Sequence, residues 1–376
     1  MIILPIQPKP IKHEILSSWL TRLALSNGFF LNSFFTRILQ CSPSLFSRDI
    51  DRNPPKELLL SLSQSTMYST RSIYSMSLKA YEGCVYEHLS PSSLTKHLIP
   101  IGVYHRKRNR GGMHYCPECL EEDQAPNFRM YWRLSFFTVC PIHEVLLRDS
   151  CPCCGAYIAV HRHAVNGKKY DLPLSDLGCC SECYASLNQG PKDTIHHYVS
   201  RTYLEFLRAF IEDRITFPVP TSHWLCVFSG LWVLASCLTK SRSESLAYRI
   251  EWASGIPLTS VKNRKGVDSL SSLERCILMS SVFWLLEDWP YRLITLSKGT
   301  EFSCSVLSDY SFIPFWVDKV FKEEFYGRNY FPSDQEFLVA YDYLRRRGVY
   351  VNAGVLASLF GADVTACRKR LSKLLG

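Results

Sequence analysis

The stretch from Cys116 to Cys183 limits what this chain can fold into more than any other part of it. It contains Cys116-Pro-Glu-Cys119, Cys140-Pro-Ile-His143, Cys151-Pro-Cys153-Cys154-Gly155 and Cys179-Cys180-Ser-Glu-Cys183. Each holds a pair of metal-ligand residues with two residues between them. A turn of that length lets two side chains meet one metal, and two such turns complete a closed tetrahedral site. The spacing predicts two structural zinc ions. Cys116, Cys119, Cys140 and His143 would hold one, and Cys151, Cys154, Cys180 and Cys183 the other. An interleaved pairing uses the same residues and stays open at this point. Closed sites of this kind leave no position for water, so they predict no metal chemistry. Disulfides are disfavoured by the ligand spacing and by the N-terminus, where Pro5, Pro8 and Pro10 interrupt the apolar run an export signal needs. Cys153 and Cys179 are spare neighbours of ligands. His161 and His163 would compete only for a site already filled.

A hydrophobic content of 47% over 376 residues predicts packed cores in two or three domains rather than disorder. The net charge of +9 hints at a polyanionic partner. The longest apolar stretch, Trp224 to Leu238, is too short to span a bilayer and reads as a core helix, so no membrane partner is expected.

The expected fold is mainly α. A helical N-terminal module (1–110) with helix-turn-helix-like elements precedes a tandem zinc-binding region (111–190) of zinc-ribbon or knuckle type. A C-terminal helical domain (191–376) follows, with a terminal helix-turn-helix near 350–376. Leu16, Trp19, Leu20 and Leu23 form one apolar stripe of a helix stopped by Asn27-Gly28. Phe34, Phe35, Ile38 and Leu39 predict a second helix, and Leu58, Leu59 and Leu62 a third. Ile73, Met76, Ser77 and Ala80 predict a fourth, ending near Gly83. The third and fourth, across the polar break Gln64–Ser69, form one helix-turn-helix candidate. Arg22 and Arg37 fall off the apolar stripes and read as solvated. A linker is expected near 240–245.

Two basic segments are candidates for nucleic-acid contact. From His88 through Pro117 there is no acidic residue, and Arg106, Lys107, Arg108 and Arg110 lead into the first ligand pair. At the C-terminus, Val355–Phe360 predicts one helix and Gly361 a turn. Thr365 caps a last helix carrying Arg368, Lys369, Arg370 and Lys373 over packing leucines. The aromatic insert Phe128-Arg-Met-Tyr-Trp-Arg-Leu-Ser-Phe136 reads as core around the metals rather than as a base-stacking platform. Glu121-Glu122-Asp123 is the tight acidic run near the metals, and no catalytic constellation accompanies it.

The residues His13-Glu14-Ile-Leu-Ser-Ser-Trp19-Leu-Thr-Arg22, with Pro8 before and Asn27-Gly28 after, resemble the opening of the TniQ/TnsD family. Tyr115–Asp123, Pro126–Arg129, Tyr131-Trp132-Arg133 and Cys140-Pro-Ile-His143 with Leu146-Leu147 resemble its central signature, over roughly residues 5–185. The resemblance implies a non-enzymatic target-site selector of a DNA transposon, in the bacterial cytoplasm at the nucleoid. It implies an AAA+ ATPase regulator, and through it a transposase, as partners. It also implies either target DNA or a CRISPR effector complex with its guide RNA as the thing recognised. The sequence leaves the choice between those two open, and the oligomeric state, a homodimer included. A stand-alone transcription regulator reading DNA through the terminal helix is the competing expectation, and Arg368→Ala with Arg370→Ala is its natural test.

Overall fold

A computed structural model describes residues 3–41, 49–90, 94–101, 103–104, 107–108, 112–158, 160, 177–190, 199–214, 223–261, 266–310, 312–325, 332–360 and 364–375. Arg106, Arg110, His161, His163 and Gly361 lie outside the described residues. For Lys107 and Arg108 the backbone alone is described. The fold is mainly α. Among the described residues, the one ladder of named strands is a short antiparallel pair, β1 (Val103–Tyr104) and β2 (Lys107–Arg108), within the basic approach segment.

The N-terminal helices follow the apolar stripes. Helix α1 (Leu16–Ser26) buries Leu16, Trp19, Leu20 and Leu23 completely. Asn27 closes it, and Gly28 takes a left-handed φ of 74° that suits glycine. Helix α2 (Leu31–Ser33) continues as a π turn through Phe34–Ile38. Helix α3 (Lys56–Ser65) turns Leu58, Leu59 and Leu62 onto the same core. The fourth expected helix is broken. Helix α4 (Thr70–Tyr74), capped by Ser69, stops after little more than one turn, and a 3-10 turn follows at Leu78–Tyr81. The serine hydroxyls explain the break, because Ser75 donates to the Ser72 carbonyl and Ser77 to the Tyr74 carbonyl. So short a second helix makes a poor recognition helix for the first helix-turn-helix candidate.

The largest apolar cluster runs through the aromatic insert and into the helices beyond 200. Phe128, Tyr131, Trp132, Phe136 and Phe137 are all buried in it. Around them pack α6 (Arg201–Ile211), α7 (Trp224–Leu238), α8 (Glu244–Ser254), α9 (Ser272–Leu286), α10 (Tyr291–Ser297) and α11 (Phe315–Val320). Gly230 on α7 lets α11 approach: a Cβ there would lie 2.0 Å from Cζ2 of Trp316. The expected linker near 240–245 is instead a tight corner. Ser241–Ser243 forms a 3-10 turn, and buried Ser243 donates to the Cys237 carbonyl at 2.6 Å. A separate small core holds α12 (Asp334–Arg346), α13 (Ala353–Phe360) and α14 (Val364–Leu375), centred on Phe337, Leu344, Leu356 and Cys367. Helix α14 starts one residue before Thr365, which therefore sits in its first turn rather than at its cap.

Candidate functional site

Three of the four ligand pairs fold as one repeated hairpin. In each, the first ligand's amide donates to the carbonyl five residues on: Cys140 to Val145, Cys151 to Ala156, Cys180 to Ala185. In each, the residue after the second ligand returns its amide to the first ligand's carbonyl, from Glu144, Gly155 and Tyr184. That residue is left-handed every time, with φ of 54°, 70° and 64°. Glycine takes this conformation freely, whereas Glu144 and Tyr184 cost about 1 kcal/mol each. An antiparallel bridge closes each hairpin: Val139 with Leu146, Ser150 with Tyr157, Cys179 with Ser186. Cys179 thus serves the ladder, and Cys153 is exposed. The remaining pair opens α5 (Pro117–Glu122), where Cys116 is the N-cap and its sulfur accepts the Cys119 amide at 3.4 Å.

The hairpins bring the ligands together as adjacent pairs, not interleaved ones. Cys116, Cys119, Cys140 and His143 form one group, and Cys151, Cys154, Cys180 and Cys183 the other. Within each, the ligand atoms all lie within 4.8 Å of one another. A zinc tetrahedron with bonds of about 2.3 Å to sulfur has S···S edges of about 3.8 Å. The sulfurs of Cys119 and Cys140, of Cys151 and Cys183, and of Cys154 and Cys180 are each 3.7 Å apart. A disulfide would need about 2.05 Å. Both clusters can therefore hold a zinc ion, and the donor set of soft thiolates with at most one imidazole suits that metal. The Ala185 amide holds the Cys183 thiol down at about 7, toward the thiolate a metal requires.

The first cluster has an outer partner that the sequence did not identify. Nδ1 of His143 faces the three sulfurs at 3.3–3.5 Å, and its Nε2 meets Oε2 of Glu122 at 2.8 Å. A carboxylate on the far nitrogen fixes the ring's orientation and tautomer. The acidic run beside the metals thereby has a structural use. Glu122 orients His143, and Asp123 pairs with Arg129 at 2.8 Å, whose guanidinium lies over Trp132.

The N-terminal helices are tied to this cluster by a short ladder. Ile15 donates to the Phe128 carbonyl at 2.9 Å, and Met130 to the His13 carbonyl at 2.8 Å. Fully buried Glu14 accepts from Nε and Nη2 of Arg22 at 2.8 and 2.7 Å, so Arg22 is an anchoring residue and not a solvated one. Buried Arg133 reaches back to Asp49 at 2.7 Å. The residues that carry the family resemblance, far apart in sequence, are therefore neighbours.

Residues 5–147 match the TniQ family model. They form a TniQ domain. No curated protein matches the chain. The TniQ domain takes in the whole of the first thiol cluster, together with the Glu14–Arg22 pair and the ladder to Phe128, and ends just before Cys151. Among the described helices, none is long and apolar enough to cross a membrane.

The cations expected to meet nucleic acid divide in two. Arg368, Lys369 and Lys373 project from α14 into solvent. Arg370 does not: its Nε donates to Oδ1 of Asp334 at 2.7 Å and its Nη1 to the Pro332 carbonyl, which ties α14 to the start of α12. Arg370 is engaged in this tie, so Arg370→Ala is not a clean test of DNA binding.

Proposed function

We propose that this chain is a target-site selection adaptor of a DNA transposition system, held in shape by two structural zinc ions and performing no chemistry itself. The observation that carries this reading is the TniQ match over residues 5–147, whose signature residues pack around the first thiol cluster. Three units share the work: an N-terminal module (1–110), the tandem zinc region (111–190) and the C-terminal helical domain (191–376). The zinc ions would fix the hairpins that carry the aromatic insert, since a small knuckle region has too little apolar core of its own. The terminal helix pair α13–α14 would meet target DNA through Arg368, Lys369 and Lys373, with the basic approach segment Arg106–Arg110 as a second contact. An AAA+ ATPase regulator, recruited to the marked site, would then bring in the transposase. The solvent-facing cations of α14 favour direct DNA contact over placement by a guide-RNA complex. Insertion-site mapping in cells carrying the marked transposon tests the reading. Insertions should cluster at a preferred site and lose that clustering when this chain is deleted. An unchanged distribution of sites overturns it.

A further inference from the structure

Several arginines of the described residues are matched to a carboxylate. Arg201 pairs with Glu205, Arg208 with Glu144, Arg292 with Glu287 and Arg370 with Asp334. Three consecutive ones at the end of α12, Arg345, Arg346 and Arg347, are not. All three are exposed, and among the described residues no ion pair engages them, not even with Asp342 one turn back. Consecutive residues on a helix point about 100° apart, so the three guanidinium groups fan out around the helix end. Cations favour a helix C-terminus, where the carbonyls carry partial negative charge. That preference accounts for cations here without requiring three in a row.

Two tyrosines flank the fan. Tyr343 is 49% exposed and lies under the Arg347 guanidinium, 4.9 Å from its ring centroid. Tyr350, just past the left-handed Gly348, is 84% exposed. Among the described residues, these hydroxyls and guanidinium groups have no hydrogen-bond acceptor. Their natural complement is a row of anionic oxygens. The patch is also separate from the α14 cations. Arg370 fixes α14 to the start of α12 at Asp334, and Arg345 lies about 16 Å further along the α12 axis at 1.5 Å per residue. Phosphates on the two sides of a major groove about 12 Å wide are spaced on that scale.

We propose that the C-terminal end of α12, through Arg345, Arg346, Arg347, Tyr343 and Tyr350, is a second phosphate-contacting surface of the terminal three-helix unit for duplex DNA, separate from α14. The proposal rests on the reading that the terminal three-helix unit binds DNA. It adds a contact that positions the duplex without reading its sequence.

The test is anisotropy titration of the full chain against a random-sequence DNA duplex of roughly 30 base pairs over a series of salt concentrations. Three variants are compared: Arg345→Gln/Arg346→Gln/Arg347→Gln, the same three changed to Lys, and Arg368→Gln/Lys369→Gln/Lys373→Gln in α14. Far-UV circular dichroism of each verifies the helices. Loss of three phosphate contacts should flatten the slope of log K against log salt by about 2 to 3, because each contributes about 0.9 on duplex DNA. The lysine triple should keep the wild-type slope. An unchanged slope for the glutamine triple, with a reduced slope for the α14 variant, overturns the second surface and leaves the first intact. No change in either variant overturns the DNA reading of the whole terminal unit. An effect confined to single-stranded RNA, measured in parallel, also overturns the proposal.

Discussion

Nε2 of His143 and Oε2 of Glu122 stand 2.8 Å apart, on the side of the imidazole away from the three sulfurs. The pair joins the helix that begins at Cys116 to the hairpin that begins at Cys140, so it braces the two halves of the first cluster against each other.

Glu122→Gln should therefore weaken zinc at the first cluster without unfolding the domain. Outer carboxylates on metal-bound histidines are typically worth about 10- to 100-fold in affinity. Competition against a chromophoric chelator measures this. An affinity equal to wild type would show that Glu122 is only a surface neighbour.

The clusters differ in access. Cys116, Cys119 and Cys140 are buried, whereas Cys154 and Cys183 are exposed. Excess chelator should remove zinc in two phases, the faster from the second cluster. Cys183→Ser should abolish the fast phase alone. A single phase, or loss of the slow one, would contradict the assignment.

The Asp51 carboxyl is buried beside Asp49 and Arg133, and burial, then Asp49, pushes its pKa up to about 6. A carboxyl raised in the folded state binds protons more tightly there than in the unfolded chain. Its stabilising contribution is full below about pH 4 and is lost as pH rises through about 6. Asp51→Asn should gain stability relative to wild type as pH rises through that window. Urea midpoints of both proteins at pH 5 and pH 7 measure it. A constant difference between the two would mean that Arg133 fully offsets the burial.

Gly230→Ala should destabilise the helices around α7. Its methyl group would sit 2.0 Å from the Trp316 ring, which is itself anchored by a 3.0 Å bond from Nε1 to the Cys226 carbonyl. Overpacking of this kind costs about 1–3 kcal/mol. Thermal unfolding with zinc present would register it as a lower midpoint. An unchanged midpoint would mean that α11 moves aside freely.

What the sequence determined by itself was local. The two-residue spacing of Cys and His named the eight ligand candidates, because a turn of that length aims two ligands at one point whatever surrounds it. The stripes at Leu16–Leu23 and Trp224–Leu238 marked helices for the same reason, since the helical period is written into the chain. Tertiary structure decided everything that depends on a distant partner. It chose adjacent over interleaved ligand pairing. It gave Glu122 to His143, matched Arg22 to buried Glu14, Arg133 to Asp49 and Arg370 to Asp334, and left Arg345, Arg346 and Arg347 facing solvent. A charged side chain looks the same in sequence whether it meets water, a carboxylate or a partner. Only packing, which fixes what lies within a few ångströms of its head group, separates anchoring arginines from those free to bind.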